Sequence, residues 1–419
     1  MSDEKIFAEG FKSTPYWWEA APPGTVAGSP LPSETDCAIV GSGYSGLSCA
    51  LELARAGVRS VVLDREDIGW GASTRNGGML SAEPKFADPG TLRRRFGEER
   101  AARILEDGRA TLANLQEVCE REGIDCELQL TGRFVGAHSP AAYRGLEKKA
   151  GALEAEGKSG FELVPRSRQH EVTGTDYYHG GLRFTDGGSL HPALYHRGLA
   201  EACRRHGVVF CPGTEVLGME RLTEDTRAPR FRVHTARGAF ESREAVLGTN
   251  GYTGTATPWH RRRLVPLGSF IIATEALIPG QVEQMFRGFC TMSNTQRILF
   301  YYRPSPDHRR VVFGGRASFR KSEPARASSV RLHRYLCEVF PQLRGVRITH
   351  GWSERGLHLR WPSPHGRARW RAFLHGVQRK RGPDDELSRP ENRFEDLGTD
   401  ESALRLRRSA FPDPTPLRR

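Results

Sequence analysis

The chain has 419 residues with a formal net charge of +12, and 37% of the residues are hydrophobic. This length exceeds what one hydrophobic core holds and predicts two or three domains of a soluble protein, while no apolar run reaches the roughly 18 residues of a transmembrane helix. The eight cysteines form no CxxC pair, so neither a zinc site nor a disulfide framework is expected.

The first elements predicted along the chain are an arm and a βαβ unit. Residues 1–33 are predicted to form an extended N-terminal arm, because prolines interrupt it and its aromatic group Tyr16-Trp17-Trp18 can attach it to the main body. The apolar runs 36–40 and 60–63 are typical of buried parallel strands. Between them, apolar residues recur at helical spacing from Leu47 to Ala56, which predicts a helix.

A Gly-x-Gly-x-x-Gly turn lies between the first strand and this helix, at Gly41, Gly43 and Gly46. In this position the first glycine permits a tight turn, the second leaves room for a pyrophosphate and the third lets the helix pack closely on the strand. Asp64 ends the second strand, 18 residues after Gly46, where a carboxylate can accept hydrogen bonds from a ribose diol and disfavours a 2′-phosphate. The pattern predicts a dinucleotide site, although an unrelated α/β domain can also contain a glycine turn. The neighbouring residues assigned to this predicted site are Tyr44, Ser45 and Arg65.

A second Gly-rich loop follows at 69–78, where a nicotinamide-binding domain normally continues into another helix. Such a loop brings backbone close to a flat, extended ligand, which favours FAD over a nicotinamide cofactor. Arg75 could face the pyrophosphate or the pyrimidine edge of the flavin. A flexible surface loop is the alternative interpretation. The residues assigned here to cofactor binding are Gly71, Ala72, Ser73, Arg75, Asn76, Gly77 and Gly78.

The remaining elements mix helices and strands. Helices are predicted at 101–122, 141–155, 191–206 and 330–339, and strands at 208–210, 231–236, 239–241, 244–250, 269–275, 297–303 and 310–316. The strand near Val216 could present its backbone to an adenine, and the turn Asn250-Gly251 could close over the cofactor. Both could equally be ordinary strand ends. After Ser353 the apolar periodicity stops, apart from a candidate strand at 372–374.

Eight segments carry a family resemblance. They are Pro15-Tyr-Trp-Trp, 41–57, 68–78, Gly188-Ser-Leu-His-Pro, Gly248-Thr-Asn-Gly-Tyr, 271–275, Gly314-Gly-Arg and His350-Gly-Trp-Ser. In combination they resemble the D-amino-acid-oxidase-type FAD oxidoreductases, and most of all the gamma-glutamylputrescine oxidase-like branch. The resemblance implies an α/β fold, in which a doubly wound, Rossmann-like FAD-binding domain is interleaved with a mixed-sheet α+β substrate domain. The implied ranges are an arm at 1–33, the FAD-binding domain at 34–95 and 186–262, the substrate domain at 96–185 and 263–345, and a C-terminal segment at 346–419.

The resemblance also implies the chemistry. An FAD-dependent enzyme of this kind oxidises the C–N bond of an amine or amino acid to an imine, with oxygen as the expected acceptor and no metal. The implied catalytic residues are Tyr252, Tyr302 and Arg316, and Tyr301 and Arg303 are further candidates for lining the pocket. Strand alternation turns Tyr301 and Tyr302 to opposite faces, so only one of them is expected to reach the ligand. A nicotinamide-dependent dehydrogenase is the disfavoured alternative.

Location and macromolecular partners are predicted from the charge pattern. The polar N-terminus, Met1 to Lys5, is followed by no apolar segment, so no secretory signal is expected and the protein is predicted to be cytoplasmic. A basic balance can favour nucleic acid, an anionic membrane or an anionic substrate. Neither a basic helix with interleaved aromatic residues nor a nucleic-acid-binding motif is present, so a nucleic-acid partner is not expected. The oligomeric state is left open.

The tail departs from the family pattern. The family's third FAD segment, a Gly-rich turn leading into a helix that faces the flavin, has no match in residues 354–419. One hypothesis is a frameshift near codon 353 of a GC-rich gene, because one-base shifts interconvert proline and arginine codons. The competing hypothesis is a native tail, either divergent or basic and partner-binding. An aberrant tail leaves open an alternative function, that of an inactive relative with impaired flavin binding.

Overall fold

The computed structural model describes residues 3–81, 89–223, 230–296, 299–315 and 324–359. Its contacts divide the chain into two units. Before Arg355, unit 1 comprises Met1–Ala21, Thr74–Tyr195 and Gly268–Glu354, and unit 2 comprises Pro22–Ser73 and His196–Leu267. Three sequence predictions lie outside the described residues: the tail from 360 onward, its candidate strand at 372–374, and Arg316.

The described ranges contain the following regular elements. The helices are α1 (Tyr44–Arg55), α2 (Pro89–Phe96), α3 (Glu98–Glu122), α4 (Pro140–Ala155), α5 (Pro192–Arg205), α6 (Pro258–Arg261), α7 (Gln281–Met285) and α8 (Ala325–Val339). The strands are β1 (Phe7–Lys12), β2 (Glu34–Val40), β3 (Ser60–Leu63), β4 (Met79–Ser81), β5 (Arg133–Gly136), β6 (Phe161–Val164), β7 (Gly181–Phe184), β8 (Gly187–Ser189), β9 (Val209–Cys211), β10 (Val216–Arg221), β11 (Phe231–Thr235), β12 (Gly238–Leu247), β13 (Leu264–Thr274), β14 (Thr291–Asn294), β15 (Phe300–Pro304), β16 (Val311–Gly315) and β17 (Ile348–Leu359). None of these helices combines the length and the apolarity needed to cross a bilayer.

Unit 2 is built on a six-stranded sheet with the order β10-β11-β12-β2-β3-β9. Strands β12, β2, β3 and β9 run parallel, whereas β10, β11 and β12 form an antiparallel meander. The apolar strands β2 and β3 are buried, as expected where a parallel sheet is covered on both faces. Helix α1 packs on them and buries Leu47, Ala50 and Leu51, the residues whose helical spacing predicts it. The predicted βαβ unit is therefore confirmed.

Unit 1 is built on a nine-stranded mixed sheet with the order β1-β17-β13-β16-β15-β14-β5-β7-β6. The pairs β1–β17 and β14–β5 are parallel, whereas β15 and β16, which fall in the predicted strands 297–303 and 310–316, pair antiparallel. One aromatic core contains Phe134, Phe313 and Phe340, and a second cluster is formed around Trp17 and Trp352. A further two-stranded ribbon pairs β4 with β8.

Most strands of unit 1 are not predicted from the sequence, and β1 and β17 are two of them. Strand β1 lies inside the predicted arm and pairs in parallel with β17, where Phe7 is opposite Ile348. Strand β17 continues to Leu359, past Ser353, where the apolar periodicity stops. An edge strand such as β1 has several exposed side chains and only weak alternation, so the signal that defines it is its pairing with a strand far away in the sequence.

Candidate cofactor site

The Gly-rich turn joins the end of β2 to the start of α1. Gly41 has a φ of +105°, and a Cβ placed on it would lie 2.7 Å from the carbonyl oxygen of Gly248. A Cβ on Gly46 would lie well inside 3.0 Å from the carbonyl oxygen of Gly41, a separation that real Cβ atoms essentially never show. The close approach of strand and helix therefore requires glycine at both positions.

The N-terminus of α1 is held by the second Gly-rich loop. The Oγ of Ser73 accepts a hydrogen bond from the N–H of Tyr44 at 2.9 Å. A Cβ on Gly43 would lie 3.0 Å from that same oxygen, so the missing side chain gives Ser73 room to approach. The first N–H groups of a helix have no acceptor within the helix and form the positive end of its dipole. This end of α1, which begins with Tyr44 and Ser45, is suited to bind a phosphate group.

Asp64 follows β3 and is tied to the same turn. Its Oδ2 accepts hydrogen bonds from the N–H of Ser42 at 2.9 Å and from the Ser42 hydroxyl at 2.6 Å, and its Oδ1 accepts one from the N–H of Glu66 at 3.1 Å. Burial raises the pKa of Asp64, and the hydrogen bonds from Ser42 and Glu66 oppose that shift. A carboxylate oxygen can accept two hydrogen bonds, so Oδ1 retains the capacity to accept one from a ribose hydroxyl.

His196 is a residue of this site that the sequence analysis misses. It lies on α5, is buried, and donates a hydrogen bond from Nε2 to the carbonyl oxygen of Ser42 at 2.7 Å. Burial lowers the pKa of His196 to about 4, so the ring is neutral at neutral pH. The sequence predicts the helix, but nothing local indicates that this side chain reaches a turn 154 residues away.

Replacing His196 with glutamine should reduce the pH dependence of stability between pH 4 and 6.5. The unfolded state takes up a proton in this range and the folded state does not, so this residue's contribution to the free energy of unfolding, about 3 kcal/mol, is lost as the pH falls from 6.5 to 4. Glutamine keeps an N–H donor for Ser42 but does not titrate.

Buried His260 and His350, whose pKa values are also lowered to about 4, should preserve part of the slope of the free energy of unfolding against pH. Urea unfolding across this pH range measures the effect, with exposed His206→Gln as the control. A slope in His196→Gln equal to that of the control would contradict this role.

The remaining predicted residues of unit 2 occupy turns and strand ends. Asn250 has a φ of +46°, and its buried Oδ1 has no hydrogen-bond partner among the described residues. It begins the 3-10 turn Asn250–Tyr252, where the Tyr252 ring packs edge-on against Trp70 at 5.8 Å. Val216 begins β10, where the pairing with β11 is irregular, and Arg65 is exposed. Because its buried Oδ1 has no partner among the described residues, Asn250 is the strongest candidate of this group for contact with a ligand.

The second Gly-rich loop is divided between the two units after Ser73. In unit 2, a Cβ on Gly71 would meet nothing within 4 Å, which leaves open space beside this backbone. The 3-10 turn Ala72–Thr74 follows. Position 71 therefore does not require glycine for packing within the described residues, and a bound ligand remains a reason for it.

In unit 1 the loop continues from Arg75 to Gly78. Arg75 is half-buried, and its guanidinium stacks on an indole ring. Asn76 is buried, and its Oδ1 accepts a hydrogen bond from the N–H of Gly78 at 2.8 Å. Gly78 has a φ of +64°, and a Cβ on it would overlap a backbone carbonyl oxygen. A Cβ on Gly77 would lie 3.0 Å from the ring of Tyr301, so this loop also has a tightly determined backbone.

Tyr301 and Tyr302 lie on β15 and belong to different clusters, which confirms their predicted opposite orientation. Tyr302 is buried in the aromatic core of unit 1, where its hydroxyl shares a hydrogen bond with that of Tyr178. Tyr301 belongs to the cluster on the other face, and its hydroxyl shares a hydrogen bond with the Oγ of Ser269 at 2.9 Å. These contacts favour a packing role for Tyr302 and make Tyr301 the better candidate for contact with a ligand.

The residues of unit 2 fit the adenosine and phosphate portions of a dinucleotide such as FAD. Gly43 presents no side chain at the N-terminus of α1, Asp64 has acceptor capacity for a ribose, and the Asn250 oxygen is buried without a described partner. Within the described ranges, no group of His, Cys, Asp and Glu side chains is arranged to hold a metal ion. The fold and the turn together define a dinucleotide-binding protein of the doubly wound α/β class.

Comparisons with known proteins narrow this class. A family model described as "FAD dependent oxidoreductase" (DAO) matches residues 36–377. The "Probable oxidoreductase OrdL" of Rhizobium meliloti is 30% identical over 80% of this chain and 77% of that protein. Gamma-glutamylputrescine oxidoreductase of Escherichia coli is 30% identical over 76% of this chain and 72% of that protein. The crystal structure of glycine oxidase from Geobacillus kaustophilus has a TM-score of 0.64 at 19% identity, covering 82% of this chain and 89% of that one.

The chain belongs to the DAO family of FAD-dependent oxidoreductases, and its cofactor is FAD. The predicted family, fold class and cofactor are therefore confirmed. The individual residues assigned to the cofactor, the domain boundaries and the catalytic residues stay predictions.

Proposed function

We propose that this enzyme oxidises the C–N bond of a small amine or amino acid to an imine, and that oxygen accepts the electrons. The substrate loses two electrons and two protons. Oxygen accepts these two electrons and two protons to form hydrogen peroxide. The observation that carries the donor class is the 30% identity to gamma-glutamylputrescine oxidoreductase over 76% of this chain. Hydrolysis of the imine by water would then release the amine nitrogen.

The proposed roles follow the chemistry of each group. Bound FAD supplies the two-electron acceptor of the reaction. The turn Gly41–Gly46 and the N-terminus of α1 bind the pyrophosphate, while Asp64 accepts a hydrogen bond from the ribose. The loop 69–78 contacts the flavin end of the cofactor, and the backbone at Val216 and the turn at Asn250-Gly251 complete its binding. These residues belong to the proposed FAD-binding domain, 34–95 and 186–262.

The substrate is proposed to bind to the domain formed by 96–185 and 263–345. Tyr301 is the aromatic candidate of this domain for contact with the substrate, and Tyr302 supports the strand from the core side. Tyr252, which lies in the proposed FAD-binding domain, is kept as a proposed catalytic residue. Arg316, which lies outside the described residues, is a candidate partner for a substrate carboxylate. Orientation of the substrate C–H bond is the main task of these residues, because positioning removes most of the entropic cost of the reaction.

A panel of amines and amino acids tests both parts of this proposal. Purified protein saturated with FAD is mixed with each compound without oxygen, and the loss of visible flavin absorbance is recorded. The same mixtures in air are assayed for hydrogen peroxide. We expect at least one primary or secondary amine to bleach the flavin and to yield peroxide. Bleaching without peroxide would overturn oxygen as acceptor, and no bleaching by any compound would overturn the donor class.

The second candidate function is that of an inactive relative with impaired flavin binding. It is favoured by residues 354–419, which contain no Gly-rich turn of the family's third FAD segment. A colourless preparation that takes up no added FAD would support it, whereas a yellow preparation that an amine bleaches would reject it. Sequencing the coding DNA tests the frameshift hypothesis separately. If no alternative frame downstream of codon 353 encodes a Gly-rich turn, that hypothesis is wrong.

Matched Tyr→Phe substitutions separate the roles of Tyr301 and Tyr302. Tyr301→Phe should lower kcat/KM by about tenfold if its hydroxyl contacts the substrate, since a hydrogen bond of about 1.4 kcal/mol is then lost. Tyr302→Phe should act mainly on stability, lowering the free energy of unfolding by about 1–3 kcal/mol, because it leaves the buried hydroxyl of Tyr178 without its partner. Steady-state kinetics and urea unfolding are measured on both variants. A kinetic loss in Tyr302→Phe at unchanged stability would support the catalytic role predicted for Tyr302.

A further inference from the structure

Four side chains from distant parts of unit 1 donate hydrogen bonds to the segment 74–78, the end of the second Gly-rich loop. They come from the N-terminal aromatic group, from β17 and from β15. The bonds are Trp18 Nε1 to Thr74 Oγ1 at 3.0 Å, Trp352 Nε1 to the Arg75 carbonyl at 2.8 Å, Trp17 Nε1 to the Asn76 carbonyl at 2.8 Å, and Arg303 Nη1 to the Gly78 carbonyl at 3.2 Å. Four of five consecutive residues are therefore held by a side chain.

The two most deeply buried indole rings of this set pack against each other. Trp17 and Trp352 are 0% and 1% exposed, and their rings meet edge to face with centroids 6.4 Å apart. A buried indole N–H needs an acceptor, because an unmade hydrogen bond at that depth costs the full desolvation of the donor. In each case the acceptor is a carbonyl oxygen of the segment 74–78. The packing of these rings and the course of the loop are consequently coupled.

Trp18 extends the same arrangement towards the surface. Besides its bond to Thr74, its ring lies under the guanidinium of Arg75, whose Cζ is 4.4 Å from the ring centroid. A cation over an indole face is attracted by the negative charge of the π system. The three tryptophans therefore fix both the backbone and the charged side chain of Arg75.

Arg303 is held by backbone and not by a carboxylate. It is 1% exposed, and besides Gly78 its guanidinium donates to the carbonyl oxygens of Leu190 at 2.7 Å and Pro304 at 2.8 Å. Its Nη2 has no partner among the described residues, and it forms no ion pair within them. Burial lowers the pKa of Arg303 to about 9. The charge of Glu127 opposes this shift, but the direct partners of the guanidinium are three backbone carbonyl oxygens, one of them in the segment 74–78.

We propose that Trp17, Trp18, Trp352 and Arg303 are positioning residues that hold the segment 74–78 in the conformation that receives FAD. The proposal rests on the assignment of this loop to the FAD site made under the proposed function. Anchored carbonyls prevent the loop from sampling other conformations, so the ordering of this backbone is already complete when the cofactor binds. The N-terminal aromatic group then contributes to FAD binding and does not only attach the arm to the main body.

Trp→Phe substitutions test this, because phenylalanine keeps an aromatic ring but has no N–H donor. Apoprotein is titrated with FAD, and the visible absorption and fluorescence of the saturated complex are recorded. Trp18→Phe and Trp352→Phe should each weaken FAD binding about fivefold, and the double variant about 25-fold. The saturated variants should also show an altered flavin spectrum. Trp259→Phe is the matched control, because its indole nitrogen has no hydrogen bond within the described residues and its ring stacks with Arg263.

A double-mutant cycle identifies the bond responsible. Thr74→Val removes the acceptor of Trp18 while preserving the shape of the side chain. If Trp18 acts through that oxygen, Trp18→Phe should cause no further loss of FAD affinity in the Thr74→Val background. Trp18 is only partly buried, so this cycle stays informative even if Trp17 or Trp352 variants fold poorly.

Two results would overturn the proposal. Trp18→Phe and Trp352→Phe could lower the urea stability of the apoprotein and yet bind FAD with the affinity and spectrum of the wild type, which would make the tryptophans purely structural. They could also weaken binding no more than Trp259→Phe does. Gly46→Ala separates this failure from a failure of the proposed FAD site, because loss of binding in Gly46→Ala alone rejects only the positioning role.

Discussion

Gly46→Ala should abolish stable FAD binding. The added Cβ would lie well inside 3.0 Å from the carbonyl oxygen of Gly41 and 3.3 Å from the Cγ2 of Ile39. The first of these neighbours is backbone, so helix α1 must move away from β2. Such overpacking typically costs about 1–3 kcal/mol, and the shift would also displace the helix N-terminus from the proposed phosphate-binding position. We expect the dissociation constant for FAD to rise by about 100-fold or more.

The measurement is the flavin content of purified protein, followed by titration of the apoprotein with FAD. Gly145→Ala is the matched control, because it also adds a methyl group to a helix interior, and a Cβ at Gly145 would meet nothing within 4 Å. Alanine favours the helix at both positions, by up to about 1 kcal/mol in a helix interior, so the steric clash is the main difference between the two variants. Wild-type flavin content in Gly46→Ala would mean that the turn does not bind the cofactor as proposed.

Asp64→Asn should weaken FAD binding by about 10- to 100-fold, because a hydrogen bond to a charged group contributes about 1.5–3 kcal/mol. In the folded protein Oδ2 is used by Ser42, while Oδ1 has acceptor capacity left beside the N–H of Glu66. An amide nitrogen in place of Oδ1 would be a hydrogen-bond donor facing the N–H of Glu66, which is also a donor. The substitution therefore removes the proposed ribose contact without changing the size of the side chain.

The apoprotein should respond differently. Burial raises the folded pKa of Asp64 above its unfolded value, so the folded state holds the proton more tightly and its stability falls as the pH rises through that interval. Asparagine removes this cost at neutral pH but also loses one hydrogen bond, so we expect the free energy of unfolding to change by less than about 1 kcal/mol. Urea unfolding without FAD checks this, with Glu66→Gln as the neighbouring control. Equal FAD affinity in Asp64→Asn and wild type would exclude the ribose contact.

The strand–turn–helix–strand unit could be predicted because all of its signals are local. The apolar run of β2, the glycines of the turn and the helical spacing of Leu47, Ala50 and Leu51 lie within one short stretch. Strand β3 occupies Ser60–Leu63, the residues whose apolar run predicts it. Periodicity and steric demand act between near neighbours, so they are visible in the sequence before the chain is folded.

The contacts that hold the site could not be predicted in the same way. His196 reaches Ser42 from 154 residues away, and Trp352 reaches Arg75 from 277 residues away. Strand β1 depends on pairing with β17 at the other end of the described chain. Spacing along the chain contains no information about such pairs, because they form only when the sheets bring distant segments together.

The pair Tyr301 and Tyr302 shows both kinds of information. Their opposite orientation follows from the two-residue period of a strand, but which face is aromatic core and which packs against the second Gly-rich loop is decided by the layers on each side of β15. The sequence by itself determined the glycine turn from Gly41 to Gly46, the family and the cofactor, since each depends on local steric and chemical requirements. Only the tertiary structure decided which side chains hold that turn and the second Gly-rich loop, because hydrogen bonds between distant residues exist only once the fold has placed donor and acceptor within reach.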